Sequence, residues 1–315
     1  MNFLVTVIIP VFNAEKFLAT AIKSVLVLEE VGELILIDDG SKDSSFSIME
    51  KFAEEDNRVK IYYHENKSNR GRAFSRNVGI LNATNDYIAF LDADDYYLPN
   101  RFLKDKFLFE MYSDIEGVYN NIGVHFYRES TIVEREHLAI TGVSEEIEAE
   151  ELFEMLLSCK KGYYSIDGLT VKKNVFNKTG LFREELKVAE DTFLFYIMAL
   201  TCNFKTGEYK TIVAKRGVHE ENIFNNEDEY KIYRPKMFEM LVGFMVKNKN
   251  TVIEIDILLN WMWFYRYKRD YRLINEIFYY IKFFHKNPSL ILTPLLIKYF
   301  PLIRLRKKLF PIFFR

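Results

Sequence analysis

Residues 85–99 read NDYIAFLDADDYYLP, and how this stretch is interpreted decides the fold. Residues 87–91 form a short apolar run of the length and residue types of a buried strand. It runs directly into Asp92, Asp94 and Asp95, where the backbone must turn. An unpaired carboxylate in a core is very costly, so three of them at a strand end must face something other than the core. In an open α/β sheet, ligands bind beyond the carboxyl ends of the strands. A divalent cation carrying a polyphosphate would account for such a cluster. The competing reading is a solvated turn with a helix cap.

The flanking sequence supports the first reading. Residues 4–9 (LVTVII) are β-branched and apolar at nearly every position, as in a central parallel strand covered on both faces. Pro10 is expected to stop this strand, and Phe12 and Asn13 lead into a helix with Phe17, Leu18, Ala21, Ile22 and Val25 on one face. Gly32 breaks the pattern, and residues 33–37 (ELILI) form a second strand ending in Asp38-Asp39-Gly40-Ser41. Asp43 or Ser44 caps a helix carrying Ile48, Met49 and Phe52. Residues 59–63 form a third strand, followed by a polar loop over 65–72 and a helix over 73–81. This alternation predicts an α/β fold with a doubly wound, mostly parallel, Rossmann-like sheet and flanking helices. No GxGxxG follows the first strand and GxxxxGK[ST] is absent, which disfavours a dinucleotide fold and a P-loop NTPase.

The totals bound the class of protein. The 315 residues, 49% hydrophobic and 28% charged, describe a globular chain with room for one large or two smaller domains. A net charge of −2 provides no global field for nucleic acid, so none is expected as a partner. Cys159 and Cys202 have neither disulfide-framework nor zinc spacing; they read as buried thiols in a reducing compartment. The N-terminus lacks the layout of a signal peptide, and no window is apolar enough to predict a membrane-spanning helix.

Four pieces now stand in order: VIIPVFNAEKFL, LILIDDGSKDSS, NRGRAFSRNVGI and DYIAFLDADDYYLP. Together they resemble the family 2 glycosyltransferases, inverting enzymes of GT-A fold that use nucleotide-sugars. Further on, residues 165–171 read as a strand, Gly180-Leu181-Phe182 resembles the family's G-x-F segment, and Glu190-Asp191 opens a helix over 192–200. Residues 212–216 read as the last strand, and Arg216-Gly217-Val218-His219 resembles the basic segment that closes over the diphosphate, although Glu220-Glu221-Asn222 follows where the family often has a serine. The region 112–151 is the least like the family and is expected to build the acceptor side.

The resemblance implies roles. Asp39 would accept a hydrogen bond from the uracil ring N–H, although an Asx turn in DDGS is the structural alternative, one that Asp38 could equally supply. Pro10, Phe12 and Asn13 would line the nucleotide pocket. Arg76 and Asn77 would brace the loop at Gly71, where glycine permits close backbone approach. Asp92 would lie near the ribose and the metal's waters, Asp94 would coordinate Mn2+ or Mg2+, and His219 would complete the metal shell or touch the diphosphate. Asp95 is expected to cap the following turn. Arg216, a permanent cation that forks onto phosphate, would hold the diphosphate. Asp191, in the first helical turn where the dipole favours its charged form, would be the general base; adjacent Glu190 could instead be the base or orient the acceptor.

The implied activity is metal-assisted transfer of a hexosyl or N-acetylhexosaminyl group from a UDP-sugar to a hydroxyl of a glycan or lipid-linked glycan, as in polysaccharide biosynthesis. The alternatives are a sugar nucleotidyltransferase, which would need a glycine-rich basic loop that PVFNAEKF lacks, and a binding or regulatory homologue without catalysis. The expected organisation is a GT-A domain over 1–225, with a nucleotide half (1–110) and an acceptor half (111–225), and a helical region over 226–315. From residue 282 the chain carries Lys282, Lys286, Lys298, Arg304, Arg306, Lys307, Lys308 and Arg315 among Leu, Ile and Phe, with no acid. That composition suits the headgroup layer of an anionic membrane, which predicts a cytoplasmic protein peripheral to the inner face. Core-packing helices with a basic rim are the alternative.

Overall fold

The structure is a computed structural model that describes residues 3–138, 140–220, 227–267 and 272–305. In chain order the N-terminal unit contains β1 (Val5–Val11), α1 (Leu18–Leu26), β2 (Val31–Asp38), α2 (Ser45–Glu55), β3 (Val59–Tyr63), α3 (Arg72–Asn82), β4 (Tyr87–Phe90), β5 (Tyr96–Tyr97) and α4 (Leu103–Met111). It continues through β6 (Gly117–Tyr119), β7 (Gly123–Phe126), α5 (Ile132–Leu138), α6 (Leu152–Ser158), β8 (Leu169–Lys172), α7 (Val175–Thr179), α8 (Glu190–Thr201), β9 (Phe204–Thr206) and β10 (Ala214–Val218). Then follow α9 (Glu227–Lys247), α10 (Val252–Tyr267), α11 (Leu273–Lys286), α12 (Pro294–Lys298) and α13 (Pro301–Arg304). The chain divides into two compact units between Tyr230 and Lys231.

Seven strands form the main sheet in the order β3-β2-β1-β4-β8-β6-β9, in which only β8 runs against its neighbours. A second sheet has the order β5-β10-β7. β1 lies at the centre because its residues are apolar on both faces, and it pairs in parallel with both β2 and β4. The chain winds one way from β1 to β3 and resumes on the other side at β4, so the switch point falls between β1 and β4. The acids that follow β4 therefore stand at the crevice where such sheets bind ligands.

On α1, Leu18, Ala21, Ile22 and Val25 are all fully buried, in keeping with their helical spacing. On α3 the buried face includes Arg76 and Asn77 beside Ala73 and Ile80, so two polar side chains point inward. Gly79 lets α3 lie on β1, because a Cβ there would stand 2.5 Å from Ile8 Cγ2.

Several expectations need correction. Pro10 does not end β1; it lies within the strand opposite Ile37, beyond the residues that pair with β4, so its missing N–H costs no ladder bond on that side. Gly32 sits inside β2 at a register shift. The strand expected over 165–171 is a 3-10 turn, Ile166–Gly168, followed by β8. Cys159 is exposed and Cys202 half-buried, so neither is the buried thiol expected.

In the C-terminal unit, Trp263 is fully buried, edge-on to Phe283 at 5.2 Å and tilted against Tyr299 at 4.9 Å. Tyr299 Oη donates to Asp256 Oδ1 at 2.8 Å. Among the described residues no helix is long and apolar enough to cross a membrane. Of the basic tail, residues 306–315 lie outside the described residues, as do Glu221 and Asn222.

Candidate active site

The turn after β2 divides its two acids between two tasks. Asp38 Oδ1 accepts the Ser41 amide at 3.1 Å and supplies the Asx turn. That leaves Asp39, almost wholly buried, to accept the amides of Arg70 at 2.6 Å and Gly71 at 2.9 Å. His64, which was not singled out in the sequence, packs beneath with Nε2 3.3 Å from Asp39 Oδ1 and 2.9 Å from Ser75 Oγ. Burial raises the Asp39 carboxyl and lowers the His64 imidazole, and in each case the other partner opposes the shift. Gly71 needs its freedom for a φ of +86°, and the space beside it is open.

The turn after β1 is tied to the turn after β2. Asn13 Oδ1 accepts the Lys42 amide at 2.8 Å, and its own amide donates to Ser41 Oγ at 3.1 Å. Phe12 is 48% exposed beside it, and Pro10 is partly buried. These residues flank the crevice at its β1–β2 side.

The acids after β4 diverge. Asp92 turns toward α3, where Arg76 Nη2 donates to its Oδ1 at 2.5 Å. Asp94 turns toward β10, where His219 Nε2 lies 2.8 Å from its Oδ2. The His219 ring is stacked on Phe17 with centroids 4.9 Å apart. Asp95 does not cap the following turn as expected: it is buried and accepts the Gly217 amide at 2.7 Å. Gly217 is required there because a Cβ would stand 2.2 Å from the Asp94 carbonyl oxygen.

Asp167 was not singled out in the sequence. It is buried, its Oδ1 accepts the Asp92 amide at 3.1 Å, and its Oδ2 accepts Ser165 Oγ at 3.0 Å. An acid inside the apolar run 165–171 was the available signal, since it demands a partner. Arg216 donates to Ser165 Oγ at 2.8 Å and lies in the field of Asp167 and Asp95. Burial works against its cation, but those two carboxylates more than restore it.

Glu190 and Asp191 part company at the start of α8. Ala189 adopts the left-handed conformation, with φ of 63°, just before them. Glu190 is fully buried and accepts Arg76 Nη1 at 2.9 Å and Arg72 Nη2 at 3.2 Å. Asp191 is only partly buried, and its Oδ1 accepts the Thr192 amide at 2.6 Å. Arg76 thus bridges the turn after β4 and the acidic pair of α8. Asn77, one residue on, accepts the Phe182 amide at 2.9 Å and ties the Gly180-Leu181-Phe182 segment to α3.

In this crevice Asp92, Asp94, Asp95, Asp167, Glu190 and Asp191 face Arg72, Arg76 and Arg216, so carboxylates outnumber guanidiniums. Burial would raise Asp92, but Arg76 and Arg72 hold it below its usual range. Asp94 is raised by burial and by Asp92, and Asp95 is raised well above its usual range by burial and by Asp167. A divalent cation fits this surplus of negative charge. Asp92, Asp95 and Asp167 bring carboxylate oxygens within 4.8 Å of one another, but Asp95 and Asp167 are buried and already engaged by Gly217, Ser165 and the Asp92 amide. Asp94 and His219, with side chains 28% and 17% exposed, bring an oxygen and a nitrogen within 2.8 Å of each other. One carboxylate and one imidazole, completed by substrate and water oxygens, make an acceptable set for a divalent cation such as Mn2+.

Comparison with known proteins agrees with the fold. Residues 6–152 match the family model for Glycosyl transferase family 2, which extends through all of the region 112–151 expected to be least like the family. An uncharacterized glycosyltransferase of Haemophilus influenzae is 42% identical over 102 residues, 32% of this chain and 40% of the relative. The minor teichoic acid biosynthesis protein GgaA of Bacillus subtilis is 32% identical over 197 residues, 60% of this chain and 42% of the relative. The chain thus spans about two fifths of the length of these relatives. A crystal structure of S. aureus TarS 1-349 in complex with UDP-GlcNAc superposes with a TM-score of 0.63 at 18% identity, covering 82% of this chain and 71% of that one. Its likeness concerns the fold, which is GT-A with added C-terminal helices. The strand-end motifs and these matches together identify residues 6–152 as a glycosyl transferase family 2 region, and the solved structures agree with its GT-A fold.

Proposed function

We propose that this protein is an inverting glycosyltransferase that moves a hexosyl or N-acetylhexosaminyl group from a UDP-sugar to a hydroxyl of a glycan or lipid-linked glycan. In this reading residues 1–110 bind the donor, residues 111–225 build the acceptor side, and residues 226–315 form a helical extension. The observation that carries the reading is the convergence of Asp94 with His219, and of Asp92 with Arg76 and Glu190, beside Asp191 at the switch point of the sheet.

Asp39 takes the uracil N–H, with Pro10, Phe12, Asn13 and Gly71 around the nucleoside. Asp94 and His219 would hold a divalent cation, Mn2+ or Mg2+, which would supply Lewis-acid neutralisation of the diphosphate. Asp92, held by Arg76, faces the ribose, and Arg216 contributes fixed positive charge toward the diphosphate. Asp191 accepts the proton of the acceptor hydroxyl as that oxygen bonds to the anomeric carbon. The bond from that carbon to the diphosphate oxygen breaks on the opposite face, and UDP departs with the electron pair, so configuration inverts. Glu190, buried between two arginines, positions Asp191 instead of taking the proton.

UDP-GlcNAc, named in the TarS complex, is the first donor to test. Thermal protection by UDP-GlcNAc and other UDP-sugars with Mn2+, lost with EDTA, is the expected result. Asp191→Asn should lower transfer by about 10²–10⁴-fold while UDP still binds. Retained transfer would remove Asp191 from the base role.

A further inference from the structure

On α11, Tyr280, Phe283 and Phe284 face inward, with Phe283 against Trp263. The opposite face is also apolar: Ile274 is 63% exposed, Phe278 68% and Ile281 56%. These positions are spaced by four and three residues and form one continuous stripe. The last turns add Lys282, His285 and Lys286, all exposed. Leu292, 95% exposed in the turn that follows, and Ile297, 67% exposed on α12, continue the apolar exposure.

The chain that carries this stripe is charged with one sign from residue 277 onward. Glu276 on α11 is buried, and residues 277–315 contain no acid. Lys298 and Arg304 lie on α12 and α13, and Arg306, Lys307, Lys308 and Arg315 follow in sequence. Lys286 and Lys298 reach Glu239 and Asp256 of the same unit, whereas Lys282 projects from the exposed face of α11. An apolar stripe ending in the exposed Lys282 and His285 matches an interface that offers both hydrocarbon and negative charge, which is a bilayer containing anionic phospholipid.

We propose that the exposed face of α11, through Ile274, Phe278, Ile281 and Lys282, seats the protein on an anionic lipid surface. The helix lies in the plane of the interface, with its apolar stripe among the acyl chains and its basic residues at the headgroups. This narrows the membrane contact anticipated for the whole basic tail to one helix face, and it is independent of the chemistry at the crevice.

Flotation of the full chain with vesicles tests it. The chain should bind phosphatidylcholine–phosphatidylglycerol vesicles and bind pure phosphatidylcholine roughly tenfold more weakly, with added salt reducing the difference. The triple variant Ile274→Ser, Phe278→Ser, Ile281→Ser and the separate variant Lys282→Glu should each lose about tenfold in binding. Because these side chains are exposed, the melting temperature should hold; if the triple variant unfolds, Leu292→Glu is the substitute and the same loss is expected. Absence of vesicle binding by the unaltered chain, or binding equal in the variants, overturns the proposal. A dimer that the triple variant converts to monomer, with no vesicle binding, also overturns it and assigns the stripe to a second copy of the chain.

Discussion

Two buried arginines in the N-terminal unit are surrounded in opposite ways. Arg101, fully buried, donates from Nε to the Asp167 carbonyl, from Nη1 to Asp105, and from Nη2 to the Leu169 carbonyl and Thr170 Oγ1. Asp105 also accepts Thr170 Oγ1 and Asn120 Nδ2, and Asn120 Oδ1 accepts the Glu208 amide. This network closes on itself. Arg76 is as deeply buried, yet its Nε lacks a hydrogen-bond partner among the described residues, and of the two acids it reaches Glu190 is buried while Asp92 is partly exposed. Equal burial thus serves two purposes. The satisfied set is a strut joining α4 to the segment before β8, while the unsatisfied, acid-rich set is prepared for something the chain does not itself contain.

That contrast can be broken by substitution. The largest stability effect should come from Arg101→Met, which strands Asp105 as a buried charge and should cost about 3–5 kcal/mol by denaturant unfolding. Mn2+ and UDP should not restore it. Arg76→Met should cost less, about 2–3 kcal/mol, because Arg72 still pairs with Glu190 and the crevice admits counter-charge. Here Mn2+ with UDP should recover part of the loss, and equal recovery in both variants would erase the distinction between strut and site. The smallest effect concerns Asp39 and its neighbour His64. Burial holds the His64 imidazole below its ordinary pKa, so at pH below about 6.5 the unfolded chain takes up a proton that the fold refuses. Stability should therefore fall as pH drops from 7 to 5.5, and His64→Gln should flatten that fall when melting temperature is followed against pH.

The parallel half of the sheet and the helices over it were legible because their information is local. The runs of β1 and β2 and the spacing on α1 each name a face of the core without reference to distant residues. The acids after β4 were equally plain as a cluster. What the sequence did not show was where each would turn, since Asp95 meets Gly217 and Asp94 meets His219 across more than a hundred residues. Asp167 was hidden for the same reason: its partners, the Asp92 amide and Arg216, come from other strand ends. Glu190 and Asp191 stood together in the sequence, with Asp191 read as the base and Glu190 as the alternative. Only the path of the backbone before them divides the buried Glu190 from the partly exposed Asp191.

That path passes through Ala189, which spends about 1 kcal/mol to hold a left-handed angle that glycine would take with less strain. Its methyl group is buried, 4% exposed, and so anchors the turn as well as straining it. A glycine at 189 would relax the angle and also give the start of α8 a swivel, letting the two acids exchange their orientations. The fold keeps the less comfortable residue at the point where a more relaxed one would cost definition, which sets the placement of Glu190 and Asp191 above local stability.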